Sequence, residues 1–156
     1  MRPLRKSLSA LTAATVLGLA AVSISATSSD AKSPSSRFSC DAVGTGDTEF
    51  SVKYEARVKK KGPRNKFRAE FETSTTDGFV AGTPVVFSVD AVVVGTVPLG
   101  SVGQGDLEAE LRLDTKARGR GHKKPFPPDF PVVQAGSLVE ASIGGVVVLG
   151  CALALN

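Results

Sequence analysis

Histidine, tyrosine and tryptophan are almost missing from this sequence: its 156 residues include one histidine, one tyrosine and no tryptophan. This excludes a multi-histidine metal site, and a Ser-His-Asp triad would have to use His122. His122 lies between Gly121 and Lys123, with no nearby carboxylate to orient its ring. We expect a protein that is not an enzyme and that holds neither a metal nor an organic cofactor.

Cysteine is nearly as scarce, because Cys40 and Cys151 are the only two. A framework of several disulfides is thereby excluded. If the chain is exported, the oxidising compartment beyond the cytoplasmic membrane favours a disulfide between Cys40 and Cys151. Two buried, unpaired thiols are the alternative.

Acidic residues are absent from the N-terminus. Arg2, Arg5 and Lys6 precede an acid-free apolar stretch, residues 8–24, which is typical of a secretory signal peptide. Small residues follow, and cleavage after Ala26 would make residues 1–26 the signal peptide. Because serines and threonines interrupt the apolar stretch, it would make a poor membrane anchor, and we expect no transmembrane anchor.

The segment after the signal peptide is Ser-rich and has no apolar periodicity. Residues 27–39 therefore predict a flexible leader. The remainder, residues 40–156, has the length of one domain. We expect this domain to be secreted or extracytoplasmic, in a periplasm or at a cell surface.

A large net charge is also lacking once the signal peptide is removed. The chain has 19 basic and 15 acidic residues, and residues 1–26 contain three of the basic ones and none of the acidic ones. Net charge alone therefore gives no argument for binding polyanions, and we expect no specific nucleic-acid partner.

Strict two-residue alternation is the dominant pattern. It runs through residues 48–58, 67–72 and 107–114, where apolar and charged side chains alternate. This indicates strands with one buried and one solvated face. No segment has a sustained helical period. The sequence predicts an all-β fold, an antiparallel β-sandwich or flattened barrel of seven to eight strands.

Three further segments are continuously apolar and rich in valine. Residues 85–89, 92–97 and 146–149 have no polar face, and we expect them to lie centrally or between layers. Asp90-Ala91 and Gly144-Gly145 are candidate two-residue hairpin turns. Residues 125–131 contain four prolines, which exclude a central strand and predict an edge or an excursion.

An internal match divides the domain into two halves. Residues 44–49 (GTGDTE) match 103–108 (GQGDLE), and residues 81–83 (AGT) match 135–137 (AGS) in the same order. Duplication is the better explanation, although chance similarity among Val- and Gly-rich strands can produce part of the match. The halves would span about residues 44–99 and 103–155.

The order of these motifs resembles a group of small secreted bacterial β-sandwich domains of uncharacterised function. The resemblance covers about residues 48–153 and is carried by residues 92–97 (VVVGTV), 103–108 (GQGDLE) and 130–136 (FPVVQAG). Ala91 departs from the glycine that is common at that hairpin. The resemblance implies a β-sandwich fold and no catalytic residue.

Carboxylates of the matched turns offer the hard oxygen ligands that calcium prefers. The residues are Asp47, Glu49, Asp106 and Glu108. Two carboxylates at each turn are too few for a shell of six to eight oxygens. Turns that enter a strand explain the same residues.

Two clusters of basic residues are the best functional lead. They surround the tip of one predicted hairpin and fill the matching loop of the second half. If the two clusters lie at the same end of the sandwich, they would bind an anionic polysaccharide or another anionic cell-envelope component, whereas solvated hairpin tips that prevent edge aggregation are the alternative. A structural subunit that assembles through a valine-rich hairpin or a sheet edge is a second functional hypothesis. The candidate anion-binding residues are Lys59, Lys60, Lys61, Arg64, Lys66, Arg118, Arg120, Lys123 and Lys124.

Overall fold

The structure, a computed structural model, describes residues 35–60, 62–117 and 122–156. The predicted signal peptide, 1–26, and residues 27–34 of the predicted leader lie outside the described residues. Within them 65% of the residues lie in strands, and the only helical segment is one turn of 3-10 helix at Thr75–Asp77. In the described part of the chain, no helix has the length and hydropathy that a membrane span requires. The predicted all-β class is confirmed.

Eight strands of the described chain have six or more residues, and three are shorter. The long strands are β1 (Ser35–Val43), β2 (Glu49–Lys59), β3 (Gly62–Ser74), β4 (Pro84–Val89), β5 (Val92–Pro98), β7 (Asp106–Asp114), β9 (Leu138–Ile143) and β10 (Val146–Ala152). The short ones are β6 (Gly100–Gly103), β8 (Lys123–Lys124) and β11 (Ala154–Leu155).

The strands form two sheets that pack face to face as a sandwich and do not close into a barrel. Sheet A has the order β11-β1-β2-β3-β7-β6, and β8 also pairs with β7. Sheet B has the order β10-β9-β4-β5. Neighbouring strands are antiparallel except β7 and β8, which are parallel.

The core lies between the sheets and follows from the alternation. Phe50 on β2 and Phe71 on β3 are opposite each other and buried. Phe50 stacks against Phe87 of sheet B, with ring centroids 6.2 Å apart. Burying such a side chain contributes roughly 1.5–3 kcal/mol. The intervening polar residues of β2 and β3 face outward, which gives sheet A a charged outer face.

Strand β1 was not expected, because residues 27–39 were predicted to be a flexible leader. The strand begins at Ser35 and pairs with β2 without interruption, from Ser35 opposite Arg57 to Val43 opposite Glu49. Phe38 packs against the core and fixes the segment there. The small residues at its other inward positions give it little sequence signal.

The two cysteines form the predicted disulfide. Cys40 lies in β1 of sheet A and Cys151 in β10 of sheet B, with Cα atoms 5.8 Å apart. The bond therefore links one sheet to the other at 111 residues of sequence separation.

Sheet B has a local two-fold arrangement that follows one of the sequence matches. Its two hairpins, β4–β5 and β9–β10, pair through β4 and β9 about Phe87 opposite Ala141. Each hairpin has a bulge at a matching position, with Val94 as the extra residue of β5 and Val148 as the extra residue of β10. Sheet A has no such arrangement, since β3 pairs with β2 and β7 whereas the matching residues contribute only β8. Duplication of the whole domain remains a prediction.

Two expectations about irregular and apolar segments have different outcomes. The proline-rich residues 125–131 contain no strand and form an excursion, as predicted. The valine-rich strands were expected to be central, but β5 and β10 are the edges of sheet B. Val93 is 56% and Val147 51% exposed, because these valines alternate between a core face and an outer face that no described residue covers.

Candidate functional site

The described residues that flank the two basic loops lie together at one end of sheet A. Because β3 and β7 are antiparallel, with Lys66 opposite Asp114, the start of β3 lies beside the end of β7. The Thr115 backbone N–H donates to the Asn65 carbonyl at 3.1 Å. The Asn65 N–H donates to the Thr115 hydroxyl at 3.2 Å. We call this region the basic end and define it by the exposed residues Lys59, Lys60, Lys116, Lys123 and Lys124.

The predicted anion-binding residues fall into three groups. Lys61, Arg118 and Arg120 lie outside the described residues. Arg64 and Lys66 each form an ion pair with a carboxylate of sheet A, Asp114 and Glu55 respectively. The exposed side chains are Lys59, Lys60, Lys123 and Lys124.

Arg64 and Asp114 form the most buried ion pair of the basic end. Arg64 donates from Nε to Oδ1 at 3.2 Å and from Nη2 to Oδ2 at 2.6 Å. The Lys116 backbone N–H adds a third bond to Oδ1 at 2.9 Å. The hydrogen bonds from Arg64 and Lys116, partly opposed by burial, lower the pKa of Asp114 to about 2. This pair fixes the geometry between the two loops.

Glu55 has a similar role on the neighbouring strand. Arg57 and Lys66 both bind its carboxylate, and Lys66 Nζ lies 3.4 Å from Oε2. Burial alone would raise the pKa of Glu55, but hydrogen bonds and charge from these two cations hold it below its ordinary value. Lys66 is therefore held in an ion pair, which makes it a weaker anion-binding candidate than the exposed lysines.

A line of four cations crosses the outer face of sheet A next to the basic end. Lys53 is opposite Arg68, Arg68 is opposite Arg112, and Arg112 is opposite Lys123. We call these residues the cation row. Like charges directly opposite each other on a sheet are destabilising. Carboxylates offset this, because Arg68 binds Glu70 and Glu110 and Arg112 binds Glu110.

Sequence reasoning missed the cation row. Lys53 and Arg112 are single cations within alternating strands, where each is typical of a solvated strand face, and Arg68 belongs to the basic cluster around the first hairpin tip. Only the strand register brings them into line. Lys123 was predicted, but from its position in a loop.

Acidic residues occupy the other half of the same face. Glu49, Glu72 and Glu108 are opposite one another on β2, β3 and β7. Burial and neighbouring carboxylates raise the pKa of Glu72 and Glu108 above the ordinary glutamate value. The outer face is thus divided into a basic half at one end and an acidic half at the other.

Of the four carboxylates at the matched turns, Glu108 lies in a group of three carboxylates. Oxygens of Glu70, Glu108 and Glu110 lie within 4.8 Å of one another. Among the residues that the structure describes, Asp47, Glu49 and Asp106 belong to no such group of three. Arg68, which binds Glu70 and Glu110, supplies positive charge to the group.

A shallow cleft of about 440 Å³ follows the basic half of the outer face. All four residues of the cation row line it, together with Arg37 of β1 and Asn156 after β11. The strands hold these side chains on a rigid platform, which suits recognition of an anionic partner better than a mobile loop does.

The fold and this face define an all-β sandwich with one strongly polarised sheet surface. Comparisons of the chain with protein-family models, with curated proteins and with solved structures give no match.

Proposed function

We propose that the protein is a non-enzymatic, extracytoplasmic binding domain for an anionic polysaccharide. The single observation that carries the proposal is the cation row, which continues into the exposed lysines of the basic end. The signal-like N-terminus and the disulfide between the sheets support an extracytoplasmic location.

The spacing of the cation row fits a polymer better than a small anion. Adjacent strands lie about 4.8 Å apart, so the row presents its four charges along a line about 15 Å long. The end members, Lys53 and Lys123, form no ion pair with the described residues and are exposed. A linear polyanion would contact several of these charges at once.

A polysaccharide is favoured over a nucleic acid by the lack of stacking groups. The outward-facing residues that alternate through β2, β3 and β7 include no aromatic side chain, and single-stranded nucleic acids are held largely by stacking of bases on aromatic rings. Arginine and lysine are sufficient for carboxylate and sulfate groups.

The test is retention on immobilised heparin and polygalacturonate in a rising salt gradient. Neutralising Lys53, Lys59, Lys60 and Lys123 to glutamine should weaken binding by at least about tenfold and lower the eluting salt concentration. Circular dichroism must show that the variant keeps its strand content.

A relocated-charge variant separates the site from general electrostatic attraction. It adds four lysines to the neutralised variant on the exposed side of sheet B, which restores the net charge away from the cation row. The positions are Val93, Thr96, Val147 and Ala152. Binding should remain weak, and full recovery would refute a localised site.

Two other outcomes would contradict the proposal. Duplex DNA that competes as well as heparin would indicate unspecific polyanion binding. Concentration-dependent oligomers that ignore salt, without polysaccharide binding, would favour the assembly hypothesis.

A further inference from the structure

A second cleft lies on the inner side of sheet A, beneath the proline-rich excursion. Strands β2 and β3 have 11 and 13 residues, whereas the strands of sheet B have six or seven. Toward the basic end, their inner face is covered by the excursion. The cover is incomplete and leaves a cleft of about 500 Å³.

Aromatic rings form much of this cleft, which we call the aromatic cleft. Phe130 contacts Tyr54 at 6.4 Å, Phe67 at 5.5 Å and Phe126 at 4.7 Å between ring centroids. Phe38, Phe126 and Phe130 remain only partly buried, so apolar surface is open to the cleft. Among the residues that the structure describes, no charged side chain lines it.

Polar groups in the lining are few. Ser36, Tyr54, Asn65 and Thr115 supply them, and the Thr115 hydroxyl already accepts a hydrogen bond from the Asn65 backbone N–H. A sugar ring needs many hydrogen-bond partners, whereas a hydrocarbon chain needs only apolar surface. The lining therefore favours hydrocarbon.

Positive charge lies beside the aromatic cleft. Lys124 is opposite Leu113, and Leu113 is opposite Phe67, so the strand register places Lys124 on the inner side of sheet A. Lys116 directly follows Thr115, which lines the cleft. Both lysines are exposed. A ligand with its chain in the cleft would have its head group near these two cations.

We propose that the aromatic cleft binds the hydrocarbon chain of a single-chain anionic amphiphile, with its carboxylate or phosphate head beside Lys116 and Lys124. The volume of the aromatic cleft lies within the range of roughly 300–1,000 Å³ that is usual for small-molecule sites. This site uses the inner side of sheet A and is separate from the cation row on the outer side.

Calorimetric titration with monomeric laurate, octanoate and dodecyltrimethylammonium tests the proposal. Laurate should bind at least tenfold more tightly than octanoate, because each added methylene contributes about 0.8 kcal/mol when buried. Dodecyltrimethylammonium has the same chain and the opposite charge, and it should bind more weakly than laurate. Equal affinity for laurate and octanoate would overturn the proposal.

Two variants locate the ligand. Ala56→Trp fills the aromatic cleft and should abolish laurate binding, whereas Ala152→Trp on the exposed edge of sheet B should leave it unchanged. Phe126→Ala enlarges the cleft and should shift the preference toward longer chains, which keeps the proposal testable if Ala56→Trp does not fold. A folded Ala56→Trp variant that still binds laurate would refute the site.

The head group and alternative occupants have separate controls. Lys116→Gln with Lys124→Gln should weaken laurate binding about tenfold or less, as expected for exposed charges. Neutralising Lys53, Lys59 and Lys60 should leave it unchanged, so failure here is distinguishable from failure of polysaccharide binding. Binding to phosphatidylglycerol vesicles without binding of monomeric laurate would indicate surface adsorption and contradict a chain-binding cleft.

Discussion

Arg64 and Asp114 join the two halves of the sequence by two hydrogen bonds, although 50 positions separate them. Arg64 is the third residue of β3, and Asp114 is the last residue of β7. The Asp114 residue is only 3% exposed. Because its carboxylate remains charged in a buried place, its partner should matter for stability.

Loss of this partner should be costly. Arg64→Met removes both side-chain hydrogen bonds from the buried Asp114 carboxylate and leaves it the Lys116 N–H, so the free energy of unfolding should fall, and by more than in Arg57→Met. Arg57→Met is the matched control, because Glu55 keeps Lys66 as a second cation. Urea unfolding at neutral pH measures both. Equal losses of unfolding free energy in the two variants would show that burial of the Arg64–Asp114 pair adds nothing to its stabilising effect.

Acid should remove the same contribution. The pKa of Asp114 is about 2 in the folded protein and near 3.8 in the unfolded chain. A lowered pKa stabilises the folded state at pH values above 3.8, and this stabilisation, roughly 2 kcal/mol, is lost as the pH falls from 4 to 2.

Glu72 and Glu108 should act in the opposite direction. Their raised pKa values mean that protonation favours the folded state, so stability is gained as the pH falls through these values. Glu55 and Glu110 have lowered pKa values and lose stability over the same pH range, so the final fall in unfolding free energy, between about pH 4 and 2, is the part that reports Asp114. In the Asp114→Asn variant, the unfolding free energy should fall less at the acid end of this range. An unchanged fall would show that groups other than Asp114 cause it.

Reduction of the disulfide should lower stability without changing the fold. Cys40 and Cys151 close a loop of about 110 residues, for which the chain-entropy model gives roughly 4–5 kcal/mol. The Cys40→Ala, Cys151→Ala double variant should keep its strand signal at room temperature and unfold at lower urea concentration. Unfolding of this variant at moderate temperature would show that the hydrophobic core contributes less to the free energy of unfolding than its burial suggests.

The two hairpin turns of sheet B offer a matched pair of substitutions. Ala91 has a φ of 66° and the corresponding Gly145 a φ of 83°, both in the left-handed region. Ala91→Gly should raise the free energy of unfolding by about 0.5–1 kcal/mol, and Gly145→Ala should lower it by about 1 kcal/mol. Thermal unfolding measures both shifts. Shifts of the same sign would exclude backbone strain as the cause.

Local sequence patterns predicted much of the fold. The alternation in β2, β3 and β7 gave their buried faces, because a period of two belongs to each strand alone. The disulfide followed from there being only two cysteines. The turn at Asp90-Ala91 was predicted despite its alanine, and its Asp90 carboxylate accepts the Leu138 N–H at 2.8 Å.

Features that depend on pairing between distant strands could not be predicted. The cation row needs β3 beside β7 in one register, and a shift of one residue would turn Arg112 to the other face. The aromatic cleft needs Phe126 and Phe130 to fold back under β2 and β3, and a proline-rich segment has no periodicity that specifies its direction. Strand β1 was missed because small residues occupy most of its inward positions.

The two halves of the outer face of sheet A have opposite charge, and this determines how the domain orients on a charged surface. All described basic residues fall within 35–68 and 112–124, and the four strands of sheet B carry only Glu140 as a charged side chain. A domain of nearly zero net charge thus has a large electric dipole moment directed along sheet A. It should bind to both cation- and anion-exchange media at low ionic strength, each through a different end, with opposite orientations on the two surfaces.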